Sequence, residues 1–319
     1  MNKKVAVVFP GQGSQVIGMG KDLLSLPLFA ERLSKVAELA NLTLDELFYP
    51  NNIKIIEKTE ISQPYIFVIS VTLFELISSK YSLKPILFGG HSLGEFSALV
   101  ASGTLSFEEG FNLVKIRGKL MSVACEKNSG GMLAVLSPEQ KLISLLHEEI
   151  KEHHNTITIA NYNSANQLVI SGANESIAKF KDVVENKLKA RTIPLKVSGA
   201  FHSVLMNDAN SCFSHYLELA KFHEPSAPIV MNVNGEAEVS EESIITLIKK
   251  QMISSVLWKK SMETIESFQP DLVLEIGPGR VLSSLIKSAH RNLNVSNIGN
   301  RSDLLRFKKQ LEREVEVGV

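Results

Sequence analysis

The run Gly90-His91-Ser92-Leu93-Gly94 constrains this chain more than any other feature, because of what flanks it. Before it, Pro85-Ile86-Leu87-Phe88 reads as a short buried parallel strand; after it, residues 95–102 read as helix. Strand, tight turn and helix is the setting in which Gly-x-Ser-x-Gly becomes a nucleophile elbow. The turn is sharp, so glycines must flank the serine for neighbouring backbone to pass close. The Ser92 hydroxyl is then lifted out of the sheet, and the Leu93 N–H sits at a helix N-terminus, ready to stabilise an oxyanion. An ordinary glycine-rich turn would carry the same glycines; the flanking strand and helix weigh toward the catalytic reading.

At 319 residues the chain is long enough for one large α/β domain, alone or with a smaller domain inserted. Hydrophobic residues make up 44% and charged residues 21%, the balance of a globular protein. With 34 basic and 34 acidic residues the formal net charge is +0, so neither nucleic acid nor an anionic membrane is an expected partner. Cys125 and Cys212 are too few and too isolated for a disulfide framework or a metal site, which fits a reducing cytoplasm. The opening Met1-Asn2-Lys3-Lys4 and apolar 5–9 have the order of a signal peptide. The apolar run stops after five residues at Pro10-Gly11, however, so it reads as a first core strand. No stretch reads as approaching the roughly 20 apolar residues of a membrane span.

Strands and helices alternate. Strands are expected over 5–9, 85–88, 132–136, 157–160, 167–171, 191–197, 229–233 and 271–276. Helices are expected over 22–40, 63–79, 95–102, 107–124, 138–153, 174–189, 204–222, 240–251 and 281–290. The segment 63–79 is apolar all round and therefore buried. The segment 107–124 turns Phe111, Val114, Ile116, Leu120 and Met121 inward. From 129 to 198 the order β-α-β-β-α-β is the ferredoxin-like pattern. The expected division is a large α/β domain over 1–128 and 199–319, with a small α+β domain inserted over 129–198.

A second glycine-rich loop, Gly11-Gln12-Gly13-Ser14-Gln15, closes the first strand. It fails the dinucleotide fingerprint, which needs glycine where Val16 stands, and no Gly-Lys-Ser/Thr follows to make a phosphate loop. It is either a plain turn or the source of a second oxyanion donor, the Gln12 N–H. An acyl-transfer serine also needs a base. His202, in Gly199-Ala200-Phe201-His202-Ser203, follows the serine in the chain order of α/β-hydrolase-like enzymes. His91 abuts the nucleophile, where side chains diverge, and reads as structural; His153-His154 reads as solvated. His147, His215, His223 and His290 have no motif around them. Asp271 and Glu275 are possible orienting acids. Arg117 either points into the cleft to clamp a carboxylate or is an ordinary solvated helix arginine.

Taken in order, 9–15, 90–95, Arg117-Gly118-Lys119-Leu120-Met121, Ala160-Asn161-Tyr162-Asn163-Ser164, 199–203 and Glu275-Ile276-Gly277-Pro278-Gly279 resemble the malonyl-CoA:acyl carrier protein transacylases and the related acyltransferases of polyketide synthesis. The resemblance spans about residues 5–290. It implies a large α/β-hydrolase-like domain with a parallel sheet, an inserted ferredoxin-like domain, and an active site between them. It further implies Ser92 as the acylated nucleophile, His202 as its base, and the Gln251 backbone carbonyl as the group that orients the histidine, with no need for Asp271 or Glu275. Arg117 then pairs with the malonyl carboxylate, and the N–H groups of Gln12 and Leu93 form the oxyanion hole. Asn163 and Gln63 line the cleft. Phe201 before the histidine matches the Phe-His pair of malonyl-selective members. Val256-Leu257-Trp258 departs from the family's usual Val-Arg-Trp or Val-Arg-Phe. No cofactor is expected; malonyl-CoA and an acyl carrier protein are the expected partners, and the family is commonly monomeric. Lys179, Lys181, Lys187, Lys189 and Arg191 are candidates for meeting the acidic carrier, or simply a solvated face. An acyl-thioester hydrolase is the alternative, against which Arg117 argues.

Overall fold

In the computed structural model, residues 3–50, 53–136, 143–144, 147–148, 150–151, 157–186 and 189–317 are described. Most of the helix expected over 138–153, together with His153, His154 and Lys187, lies outside them.

Two sheets organise the chain. The larger has six strands in the order β10-β9-β1-β2-β7-β8: β1 Val5–Phe9, β2 Pro85–Gly90, β7 Ile229–Val230, β8 Ala237–Glu238, β9 Leu272–Ile276 and β10 Val295–Ile298. All its pairings are parallel except β7 with β8. Every residue of β1 and β9 is buried, because helices cover both faces of a parallel sheet. The smaller sheet, β4-β5-β3-β6, is antiparallel at every pairing and is built from β3 Gly130–Leu136, β4 Ile157–Ser164, β5 Gln167–Ala173 and β6 Arg191–Pro194. An isolated parallel bridge joins it to the rest: Val256 donates to the Ala160 carbonyl at 2.8 Å and Tyr162 donates to the Val256 carbonyl at 2.9 Å.

The central helix Thr59–Tyr81 starts four residues before the sequence suggests. Pro64 lies inside the helix, tolerated there by the burial of almost every neighbour. This helix is long and apolar enough to span a membrane by length and composition alone, which corrects the reading that no stretch comes close. Its most apolar window is 83% buried inside the fold. The helix expected over 22–40 is split into a 3₁₀ turn, Lys21–Leu23, and a helix, Pro27–Ala40, that Pro27 opens. Strands expected over 191–197 and 229–233 are shorter. In Phe107–Lys127, Phe111, Val114 and Met121 are buried, while Ile116 and Leu120 are only half-buried. The sequence reading lacked β10 and the helices Trp258–Ser267 and Arg301–Val317.

The helix Leu93–Ala101 enters directly off β2, and Gly94 makes that entry possible. A Cβ there would overlap the Phe9 carbonyl at the end of β1 and crowd that of Pro10. Backbone cannot yield as a side chain can. Gly94→Ala should therefore destabilise the fold by about 3 kcal/mol, read as a lowered urea midpoint. An unchanged midpoint would contradict this backbone-to-backbone packing.

Candidate active site

Register places the site. β1 and β2 run parallel with Phe9 opposite Gly90, so the loops after both strands emerge side by side. His91 donates its N–H to the Phe9 carbonyl at 3.1 Å, and Gly94 donates to the His91 carbonyl at 2.9 Å. Between them Ser92 adopts φ 52, ψ −104, a conformation that costs a non-glycine residue about 1–3 kcal/mol. Both of its backbone polar groups are held: its N–H donates to Asn232 Oδ1 at 2.7 Å, and its carbonyl accepts from Gln251 Nε2 at 2.7 Å. Leu93 opens the helix, in the first turn where N–H groups lack an intrahelical acceptor.

His202 Nε2 lies 2.8 Å from Ser92 Oγ. Its Nδ1 faces two carbonyls, Gln251 at 2.9 Å and Ser254 at 3.1 Å. Carbonyls only accept, so Nδ1 carries the proton and Nε2 presents its lone pair to the serine hydroxyl. Burial, together with the charge of Arg117, lowers the His202 pKa to about 3, so the ring is neutral.

Arg117 is not solvated; it is 1% exposed. Its Nη1 donates to Gln63 Oε1 at 2.5 Å, and its Nη2 donates to Gln251 Oε1 at 2.9 Å and to Ser92 Oγ at 3.1 Å. Its Nε has no partner among the described residues. Burial brings its pKa down to about 10, which leaves it charged at neutral pH. Gly118 permits this: its Cα lies so near Glu60 that a Cβ would sit 3.0 Å from the Glu60 Cα, which draws the arginine's helix onto the one carrying Gln63. Gln63 Nε2 donates to Thr59 Oγ1 at 2.6 Å, and Thr59 donates to Gln12 Oε1 at 2.8 Å, so a chain of polar groups links the first loop to the guanidinium. Gln12 Nε2 is buried without a partner among the described residues.

Phe201 is buried in the main core beside the histidine. Asn163 faces His91 Nε2 at 3.0 Å and donates to Gln167 at 3.3 Å. His91 also packs edge-on against Trp258, a structural setting in which burial lowers its pKa. Asp271 and Glu275 are occupied elsewhere: the first accepts from the Lys4 N–H, the second from the N–H groups of Leu282 and Ser283. Among the described residues no group of His, Cys, Asp or Glu side chains is arranged to hold a metal. The sequence reading missed Asn232, Glu95 and the side chain of Gln251. Glu95 alone had a signal, a carboxylate in an otherwise apolar, fully buried helix turn.

An elbow serine bonded to a neutral histidine on a parallel sheet defines the class of α/β acyl-handling enzymes, and the chain matches the acyl transferase domain over residues 6–313. It is 35% identical over 301 residues to the malonyl CoA-acyl carrier protein transacylase of Synechocystis sp., covering 94% of this chain and 99% of that one. The crystal structure of the malonyl CoA-acyl carrier protein transacylase of Clostridium perfringens superposes with TM-score 0.88 at 32% identity, covering 98% of each chain. A malonyl-transacylase in complex with its type II PKS acyl-carrier protein superposes with TM-score 0.87 at 32% identity, covering 95% of this chain and 98% of that one. The chain belongs to the malonyl CoA-acyl carrier protein transacylase family.

A depressed histidine pKa contributes stability that is present above the ordinary value near 6.5 and is lost as pH falls toward 3. Nitrogen NMR of His202 should show a neutral, Nδ1-protonated ring from pH 8 down to about 5. A ring titrating near pH 6.5 would contradict its burial and its two carbonyl acceptors.

Proposed function

We propose that this chain moves a malonyl group from malonyl-CoA to the phosphopantetheine thiol of an acyl carrier protein, by way of a malonyl ester on Ser92. The observation that carries the reading is Arg117, a buried guanidinium donating to the very hydroxyl that would be acylated. A cation fixed there suits an acyl group ending in a carboxylate. His202 takes the Ser92 proton as Oγ attacks the thioester carbonyl. The N–H groups of Gln12 and Leu93 receive the oxyanion, and His202 returns the proton to the departing CoA sulfur. In the second half the carrier's thiol gives its proton to His202 and attacks the ester, and the proton passes back to Ser92 as it leaves. The Gln251 carbonyl keeps the imidazole in the working tautomer; Gln63 holds Arg117; Asn163 and Phe201 line the cleft. The protein needs no cofactor of its own, since the pantetheine arm arrives with the partner.

The strand order β4-β5-β3-β6 supports a ferredoxin-like unit over 129–198, inserted into an α/β-hydrolase-like unit over 1–128 and 199–319. Of the basic candidates on that unit, Lys181, Lys189 and Arg191 would meet an acidic carrier, while Lys179 is paired with Glu175. A cytoplasmic monomer fits the composition and the family.

The test is mass spectrometry after incubation with malonyl-CoA. A malonyl ester should appear on the Ser92 peptide, and His202→Ala should form it roughly 10²–10⁴-fold more slowly. An adduct that persists in Ser92→Ala overturns the assignment, and malonate released as fast without carrier as with it would indicate a hydrolase.

Selectivity gives a second prediction. Removing the carboxylate from a buried guanidinium leaves an uncompensated charge, worth about 3–5 kcal/mol. Arg117→Ala should therefore lose malonyl transfer yet keep or gain acetyl transfer, shifting the preference by about 10²-fold or more in competition between the two CoA esters. Arg117→Lys should rescue poorly, since an ammonium lacks the planar fork. An unchanged ratio would remove Arg117 from the acyl site.

A further inference from the structure

Glu95 is a buried carboxylate that the proposed chemistry does not use. Its Oε1 accepts the Asn232 backbone N–H at 2.6 Å and its Oε2 accepts from Gln251 Nε2 at 2.6 Å. Both partners turn back onto the serine turn. Asn232 takes the Ser92 N–H on Oδ1 and donates Nδ2 to the Gly90 carbonyl at 2.6 Å, holding the turn on both sides. Gln251 donates the same Nε2 to the Ser92 carbonyl, which leaves its Oε1 for Arg117. Glu95 therefore decides which way the Gln251 amide faces. A flipped amide would set oxygen against the Glu95 carboxylate and the Ser92 carbonyl, and an NH2 against the guanidinium.

We propose that Glu95 is a positioning residue for the reaction: its carboxylate fixes the two amide side chains that clamp the strained serine turn, and through Gln251 it orients Arg117 beside the histidine's acceptor. The proposal rests on the reading of Ser92 as the acylated group. Glu95 acts only as an ionised acceptor, because a proton on either oxygen would face a donor from Asn232 or Gln251. Burial raises its pKa to about 7, while those two donors and the Arg117 charge pull it back. The charged and titratable groups around it are Arg117 from the 107–127 helix and, across the serine turn and Gln251, His202 and His91. Burial lowers the pKa of both histidines, His202 to about 3. The signs for activity and stability are opposite. A raised carboxyl pKa stabilises the fold on the acid side and loses that contribution as pH rises through about 7, whereas the clamp works only above that point.

The experiment is single-turnover acylation of the full chain by malonyl-CoA alone, with no carrier thiol present, across pH. Wild type should accelerate through a midpoint near pH 7. Glu95→Gln, checked for folding by circular dichroism, should be about 10²-fold slower at pH 8 and should lack that midpoint. A wild-type profile that is flat around neutrality overturns the proposal without any variant. So does a Glu95→Gln protein that acylates at the wild-type rate or keeps the midpoint. If wild type forms no Ser92 ester at any pH, the reaction itself is refuted, and this proposal with it.

Discussion

Everything at the site depends on the serine turn being held in a conformation that its own residue disfavours. Ser92 at φ 52, ψ −104 and His202 at φ 56 both occupy backbone regions that side chains with a Cβ rarely adopt. Neither would stay there without surroundings that over-determine it. For Ser92 the surroundings are specific: a carboxamide on its N–H, a carboxamide on its carbonyl, and β1 backbone packed against Gly94. Relaxing that turn would swing Oγ away from His202 and from Arg117 together, since both contacts are made to the same atom. Strain at the turn and alignment of the hydroxyl are one constraint.

Charge follows the same geometry. Arg117 and Glu95 are both fully buried and do not touch; the Gln251 amide lies between them, accepting from one and donating to the other. This arrangement leaves the guanidinium beside Ser92 with no carboxylate among the described residues directly paired to it, where a carboxylate would occupy its planar fork. Its uncancelled charge also helps keep His202 neutral, the state in which Nε2 can accept a proton. One buried guanidinium thus bears on both Ser92 and His202, donating to the first and keeping the second uncharged.

The parts legible in the sequence were those whose signal is local. The elbow was readable because its glycines, strand and helix lie within about fifteen residues, and the histidine because chain order restricts where a base can stand. Arg117 was not readable from its neighbours, since Lys115, Lys119 and the arginine look like a solvated helix face. Only Gly118, by admitting the Thr59–Glu60 backbone, turns that face inward. Asn232 had no signal at all, because its role is created by β7 ending beside β2. Local propensity does not set the start of the central helix, where packing outweighs the backbone hydrogen bond that Pro64 removes. It failed for β10, whose Ser296 and Asn297 interrupt the apolar pattern of an edge strand.

The segment from Gln251 to Trp258 explains why the smaller sheet matters to a serine on the larger one. The Gln251 side chain holds the Ser92 carbonyl, while the carbonyls of Gln251 and Ser254 hold His202. Immediately afterwards Ser255 donates to the Ile159 carbonyl at 2.6 Å, and Val256 bridges Ala160 and Tyr162 on β4. Trp258 then packs against His91, whose far nitrogen meets Asn163 on the same strand. Eight consecutive residues therefore fasten Ser92, His202 and the edge of the second sheet to one another through backbone and side-chain contacts. A displacement of β4 would be transmitted along this strap to the carbonyls that set the imidazole. The position of the smaller sheet is for that reason coupled to the carbonyls that face His202 Nδ1.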